Sequence, residues 1–302
     1  MSWTGTGRIV VGVDPSDSAR EAAEWAADLA AAHGGHLLLV HVVRGAYGER
    51  TAGPVPVWLD ELRVTALRLG VGGCAVEVLP GEPVGVLAAR AEDAVLLVLG
   101  SYGEAAWTGM LAGSVAVSLL ERVRCPVAVI RGRAPHLPPP RGGPVVVGVE
   151  DSPAGRAALD VAAGLAGALG ARLVGTRAWS DVVAAGDGSA HRRPEDPAVL
   201  AAEARDLLTA ELSRVAVAHP DLAIEPDPDE DTPLRALLDR AAGARMIVVG
   251  HRRGAPQPTP RGGVLLGSTS RGLVEFAECP VVVVGPAMVG SRAAGPVSGS
   301  RP

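Results

Sequence analysis

The sequence predicts an α/β protein made of two tandem doubly wound domains, each a five-stranded parallel sheet with helices on both faces. Three observations predict it. Short Val/Leu-rich runs alternate with longer amphipathic stretches, the pattern of strands covered on both faces and joined by helices. The chain also resembles itself. Ile9-Val-Val-Gly-Val-Asp14 returns as Val145-Val-Val-Gly-Val-Glu150, and fourteen of thirty-five positions are identical between 9–43 and 145–179 without a gap. Finally, two later landmarks recur in the same order: Val95 to Gly100 as Arg245 to Gly250, and Gly113-Ser114 with Cys125-Pro126 as Gly267-Ser268 with Cys279-Pro280. The offset grows from 136 to 150 to 154, as loop insertions in the second copy would cause.

In the first copy, the apolar runs at 9–13, 37–43, 74–79, 94–99 and 127–130 are the expected strands. Asp17–Ala32, Val57–Leu69, Val84–Ala91 and Ser114–Val123 have helical length and pattern. Ser18-x-x-Glu21 reads as a capping box, and Ser152-Pro153 as an N-cap followed by proline at the first helical position. The expected boundaries are a first domain over 1–132, a Pro/Gly-rich linker over 133–143, a second domain over 144–286 and a tail over 287–302. Ala184–Pro197 and Glu225–Asp231 read as loops. Doubly wound sheets of this size run 2-1-3-4-5 or 3-2-1-4-5, and either order places ligands beyond the strand C-termini at the switch point.

Composition removes whole function classes. With 48% hydrophobic and 20% charged residues over 302 positions, the chain is globular. No apolar run approaches the ~18–20 residues a membrane span needs, so no membrane is expected. Met1 to Gly7 has neither a basic nor an apolar signal region, and three scattered cysteines give no disulfide framework, so a reducing cytoplasm is expected. All 28 basic residues are arginine. Without lysine there is no P-loop, no Schiff-base chemistry and no kinase-type phosphate anchor. A net charge of −5 with eight aromatic residues argues against nucleic acid.

The candidate site follows the fourth strand. The first strand ends at Asp14-Pro-Ser-Asp-Ser18 with no G-x-G-x-x-G, so the dinucleotide fingerprint is missing. Instead Gly100-Ser101-Tyr102-Gly103 is followed by nine residues and then Gly113-Ser114 at a helix start, a G-x2-G-x9-G-S pattern. Glycines let backbone approach phosphates, and a helix N-terminus offers N–H donors to an anion.

VGVD in the first strand, HV in the second, G-x2-G-x9-GS after the fourth and CPV at the fifth together resemble the universal stress protein family, over nearly all of both copies. The resemblance implies strand order 3-2-1-4-5, binding of adenine nucleotide (ATP, with or without Mg2+), and edge-to-edge pairing of last strands. That pairing would be met within this chain, with a homodimer as a further option. It also implies that Val13, Asp14 and Val42 surround adenine and ribose, and that Gly100, Ser101, Gly103, Gly113, Ser114, Val115 and Ala116 surround ribose and phosphates. The second copy departs from this pattern: Glu150 replaces the aspartate, Arg177-Ala178 replaces His41-Val42, and Arg253 falls where the second glycine belongs, with four extra residues following. Its corresponding residues are Glu150, Gly250, Arg252, Gly267, Ser268 and Thr269, with Arg252, Arg253 and Arg261 as cations near the phosphates.

Plainer readings stand beside these. Asp14, Ser114 and Ser268 could be helix caps, and the glycines could be turn residues. His33, His36 and His41 read as solvated or packed rather than metal-binding, Cys125 and Cys279 as buried thiols, and Trp25, Trp58 and Trp107 as anchors. No nucleophile–base–orienter set emerges, so a nucleotide-binding stress or signalling protein is favoured over an enzyme, with slow hydrolysis at most. The alternatives are a nucleotide-independent partner-binding stress protein with a vestigial glycine loop, and an adenylating ligase, which the missing Ser/Gly-rich loop after the first strand disfavours.

Overall fold

A computed structural model describes residues 7–43, 54–102, 113–133, 137–180, 182–184, 190–192, 195–251 and 267–285. The first half runs β1 (Arg8–Val13), α1 (Asp17–His33), β2 (His36–Val43), α2 (Val57–Arg68), β3 (Cys74–Pro80), α3 (Pro83–Arg90), β4 (Leu96–Gly100), α4 (Ser114–Leu120) and β5 (Val127–Ile130). The second half runs β6 (Val145–Gly148), α5 (Pro153–Ala168), β7 (Leu173–Trp179), the short strands β8 (Val182–Ala184) and β9 (Ala190–Arg192), α6 (Pro197–Ala218), β10 (Ile224–Glu230), α7 (Pro233–Ala241), β11 (Met246–Gly250), α8 (Ser268–Phe276) and β12 (Val281–Val284).

Ten strands form one sheet in the order β10-β7-β6-β11-β12-β5-β4-β1-β2-β3. Each half is parallel within itself, and the two meet where β12 runs antiparallel to β5, with Val282 opposite Ala128. Alternation across the pleat feeds two cores. Ile9, Val11, Ala128, Ile130, Val282 and Val284 face the layer of α1, α2, α5 and α6. Val10, Val127, Val129, Val281 and Val283 face α3, α4, α7 and α8. Both cores run unbroken across the seam, so the halves share their apolar interior.

Local chemistry explains the element ends. Alanine-rich α1 buries Ala22, Ala23, Ala26, Leu29 and Ala30 on one face and stops at Gly34, which takes the left-handed φ of 70° that glycine adopts without strain. Its cap is Ser16, whose hydroxyl accepts from the Ala19 N–H at 3.2 Å. The expected capping box at Ser18 is therefore incorrect: Ser18 lies inside the first turn and is 1% exposed. Ser152 caps α5 as its sequence suggests, with Pro153 following, and α3, α6 and α7 also have proline in their opening turn.

Two stretches read as loops contain strands. Glu225–Asp231 mostly lies in β10, and Ala184–Pro197 contains β9 and the end of β8. Proline marks a loop in sequence but also suits an outer strand. Among the described residues β10 is an edge strand paired only with β7, so Pro226 and Pro228 sit where a missing N–H is tolerated.

The connection between the halves is tied down at both ends. Arg133 donates to the Ala242 carbonyl, and Arg141 pairs with Asp28 and Glu24 of α1. Arg131, partly buried at the end of β5, donates to the Val274 carbonyl at 3.0 Å and to the Glu275 carbonyl in the last turn of α8. A cation there meets the negative end of the helix dipole. Burial holds its pKa below the ordinary arginine value.

Candidate functional site

Parallel pairing gathers the C-terminal ends of three strands. Val13 lies opposite His41, and Gly12 lies between Val40 of β2 and Leu99 of β4. Asp14, Val42, Gly100 and Ser101 therefore share one edge of the sheet, where β1 separates strands leading in opposite directions. This is the switch point of a doubly wound fold.

Asp14 is half-buried, and its Oδ1 accepts from both the Ser16 N–H at 3.1 Å and the Ser16 hydroxyl. Asp14 thus braces the cap and is not the cap itself. Val13 is buried, and its carbonyl accepts from His41 Nδ1 at 3.0 Å. The His41 ring stands edge-on to Trp58, with centroids 5.0 Å apart and planes at 88°. Val42, half-buried, lies next along the strand opposite Leu79.

The glycine landmarks have different physical reasons. A Cβ on Gly100 would lie 2.6 Å from Ser18 Oγ and 2.8 Å from the Ser18 carbonyl carbon, so glycine is required for α1 to pack on the end of β4. Gly113 is another matter. With φ −68° it has an ordinary backbone, and among the described residues an added Cβ would come no closer than 3.6 Å to the Ser101 oxygen. It is the N-cap of α4, and it has no side chain with which to accept from the first-turn N–H groups. Ser114 is the first helical residue rather than the cap, and is exposed. Val115 is half-buried, while Ala116 is 2% exposed and faces the core, leaving its backbone as what a ligand could meet. Gly103 lies outside the described residues, as does Trp107.

Ser101 is 5% exposed, and its N–H is shared between the Ile130 carbonyl at 3.1 Å and Ser18 Oγ at 2.9 Å. The Ser101 carbonyl in turn accepts from the Gly113 N–H at 2.8 Å. The two ends of the excursion from β4 to α4 are thus joined at their root. Sequence reading missed Ser18 as part of this site. Its only signal was a serine within a helix whose cap lies two residues earlier.

The second copy keeps the frame and changes the chemistry. Glu150 Oε1 accepts from the Ser152 hydroxyl at 2.6 Å, as Asp14 does from Ser16. Arg177 Nη1 donates to the Val149 carbonyl at 3.2 Å in the role of His41. Gly250 is again a packing glycine, since its Cβ would lie 2.7 Å from the Ala154 carbonyl carbon. Gly267 caps α8, with exposed Ser268 and half-buried Thr269 opening the helix. Its N–H reaches His251 Nδ1 at 3.5 Å. Arg252, Arg253 and Arg261 lie outside the described residues.

Among the described residues no three His, Cys, Asp or Glu side chains are grouped to hold a metal ion, and no helix is long and apolar enough to cross a membrane. Cys125 and Cys279 are buried, and desolvation pushes both thiols up to about 12. That keeps them protonated at neutral pH, the opposite of a reactive thiolate.

Residues 5–131 and again 143–285 match the Universal stress protein family. A universal stress protein of Mycobacterium tuberculosis strain H37Rv, Rv2623, is 33% identical over 292 residues, spanning 91% of this chain and 95% of its own. A second from that strain, Rv2005c, is 32% identical over 292 residues and spans 91% of this chain and 96% of its own. The crystal structure of a universal stress protein from Archaeoglobus fulgidus superposes on 94% of this chain and 99% of its own, with TM-score 0.66 at 16% identity, and so shares the fold. With two family matches that together cover most of its length, this chain belongs to the universal stress protein family and carries the family's domain twice in tandem.

Proposed function

We propose that the first half binds adenine nucleotide, ATP foremost, at the C-terminal ends of β1, β2 and β4, and that the protein serves stress response or signalling through that occupancy rather than through turnover. The domains are taken as 1–132 and 144–286, joined by 133–143 and followed by a tail over 287–302. One observation carries the proposal. Gly113 opens α4 with ordinary dihedrals and room for a side chain among the described residues, at the sheet edge that also holds Asp14 and Val42. A glycine that the packing does not demand suits close approach by something outside the chain, and a helix start without a capping side chain suits phosphate. Asp14 and Val42 would meet the nucleoside end, and Gly113, Ser114 and the backbone of Val115 and Ala116 the phosphates. Any Mg2+ would arrive with the phosphates.

A second reading has its own observation. Gly100 is fixed by contact with Ser18 and needs no ligand to explain it, as a nucleotide-independent, partner-binding protein would have it. The purified protein decides between them. Under the nucleotide reading, ultraviolet absorbance and mass spectrometry find adenine nucleotide retained, and calorimetry gives a saturable ATP isotherm. No retained nucleotide and no heat at millimolar ATP would establish the second reading.

A further inference from the structure

The two halves hold the root of the glycine loop in different ways, and the difference falls on single residues. In the first half, Ser18 Oγ accepts from the Ser101 N–H at 2.9 Å and lies 3.4 Å from the Tyr102 N, with the Ser101 hydroxyl 3.5 Å away. Ser18 and Ser101 are 1% and 5% exposed, so the contact is shielded from water. The Ser101 carbonyl then accepts from the Gly113 N–H at 2.8 Å. A continuous path of hydrogen bonds runs from α1 through the end of β4 to the cap of α4.

In the second half that path is broken at its first step. Ala154 occupies the position of Ser18 and has no hydroxyl. His251 stands in place of Ser101 and keeps the backbone bond to the next strand, its N–H donating to the Val284 carbonyl at 2.8 Å. Among the described residues the Gly267 N–H meets no carbonyl and instead reaches His251 Nδ1 at 3.5 Å. A serine returns on the other side: Ser270 of α8, where the first half has Ala116, lies 3.4 Å from the Gly250 carbonyl. It contacts a carbonyl, where Ser18 gathers N–H groups.

We infer that Ser18 is a positioning residue for nucleotide binding in the first half: through Ser101 it fixes the cap glycine Gly113 relative to Asp14. It touches no ligand itself. A preorganised root avoids ordering the backbone at the moment of binding, which is where affinity is otherwise lost. The assignment rests on the nucleotide reading above. Ser18 also fixes which donors remain: the Ser101 N–H is already shared between two acceptors, so among the described residues the donors left for phosphate are those at the start of α4.

The test compares the full-length wild type with Ser18→Ala, a change the fold accepts because Ala154 fills the matching position. Calorimetry with ATP and Mg2+ is run at a temperature where both proteins are folded, alongside amide exchange. The expected result is roughly tenfold weaker binding at the tighter site, the size expected for one buried hydrogen bond, with faster exchange at Ser101 and Gly113. Ser18→Gly should match Ser18→Ala in affinity, since both lack the hydroxyl, although glycine costs more helix stability. Unchanged affinity in Ser18→Ala, with the wild type binding, overturns the assignment and leaves the nucleotide reading intact. Affinity that follows thermal stability across the two variants overturns it as well, by showing a merely structural role. A wild type that binds no ATP overturns the nucleotide reading first, and this assignment with it.

Discussion

At the residue scale, glycines that look alike in sequence do different work. Gly100 and Gly250 are required by the first turns of α1 and α5, which approach so closely that any Cβ would meet backbone. Gly113 and Gly267 have φ of −68° and −59°, so neither needs glycine for its own dihedrals. A valine at Gly113 therefore costs little in the backbone. It replaces a tolerable cap with a poor one, at about 1 kcal/mol, and projects methyl groups over the start of α4. Gly113→Val is expected to lose ATP binding by well over tenfold while thermal unfolding stays cooperative. Retained affinity in a folded Gly113→Val protein would mean that the phosphates do not lie at that cap. The G-x2-G-x9-G-S spacing located both glycines, but their separate reasons were not legible in it. The first reason lies in the proximity of Ser18, 82 positions before Gly100, which only the folded sheet creates. Asp14 shows the same limit: its place at the strand end was readable, its grip on Ser16 was not.

At the element scale, the strands buried on both faces were legible because continuous Val/Leu runs have little other use in a soluble domain. The edge strand β10 was not, because the edge rewards the features that mark loops. Its prolines and acids discourage pairing with a foreign strand. The acids are also held from inside. Arg240 of α7 donates to both oxygens of Asp227, with Nη2 to Oδ1 at 2.8 Å, and to Asp229 Oδ2 at 2.6 Å, while Thr176 donates to Asp227 at 3.1 Å. The Arg240 hydrogen bonds hold the Asp227 carboxyl below its ordinary range, against a burial effect in the other direction. A carboxyl with a depressed folded pKa adds stability above its unfolded value of about 3.9, and that stability disappears as pH falls through the folded value. Wild type should therefore unfold at a higher temperature than Asp227→Asn at neutral pH, and the gap should shrink as the pH falls below about 4. A gap of constant size from pH 7 down to pH 2.5 would show that charge is not what the pair contributes. The first half has the same device at the matching positions of β3 and α3, where Arg90 Nε meets Glu77 Oε2 at 2.5 Å.

At the scale of the whole molecule, the two halves share one sheet and differ at the site. The antiparallel seam of β5 and β12, the shared cores and the Arg131 contact with α8 make each half part of the other's support. Splitting the chain would expose the paired valines of the seam, so differences between the halves are best measured in the intact protein. The first half keeps Asp14, His41 and Val42, the Ser18 contact and a backbone closure of 2.8 Å between Ser101 and Gly113. The second has the longer Glu150, a guanidinium from Arg177 in the position of His41, alanine for Ser18 and a closure of 3.5 Å onto an imidazole. Its inserted segment also carries Pro256, Pro258 and Pro260, none of which has an N–H to offer phosphate. The arginines at 252, 253 and 261 add charge that favours an anion. The first half should accordingly be the tighter ATP site, and the two cap glycines separate the contributions without dividing the chain. Titrated with ATP, Gly113→Val should lose the high-affinity phase, and Gly267→Val should keep it and lose at most a weaker one. Both substitutions are matched, since among the described residues nothing lies within 4 Å of where a Cβ on Gly267 would stand. If Gly267→Val removes the tighter phase, the inserted arginines outweigh the preorganised root, and the second half is the principal nucleotide site.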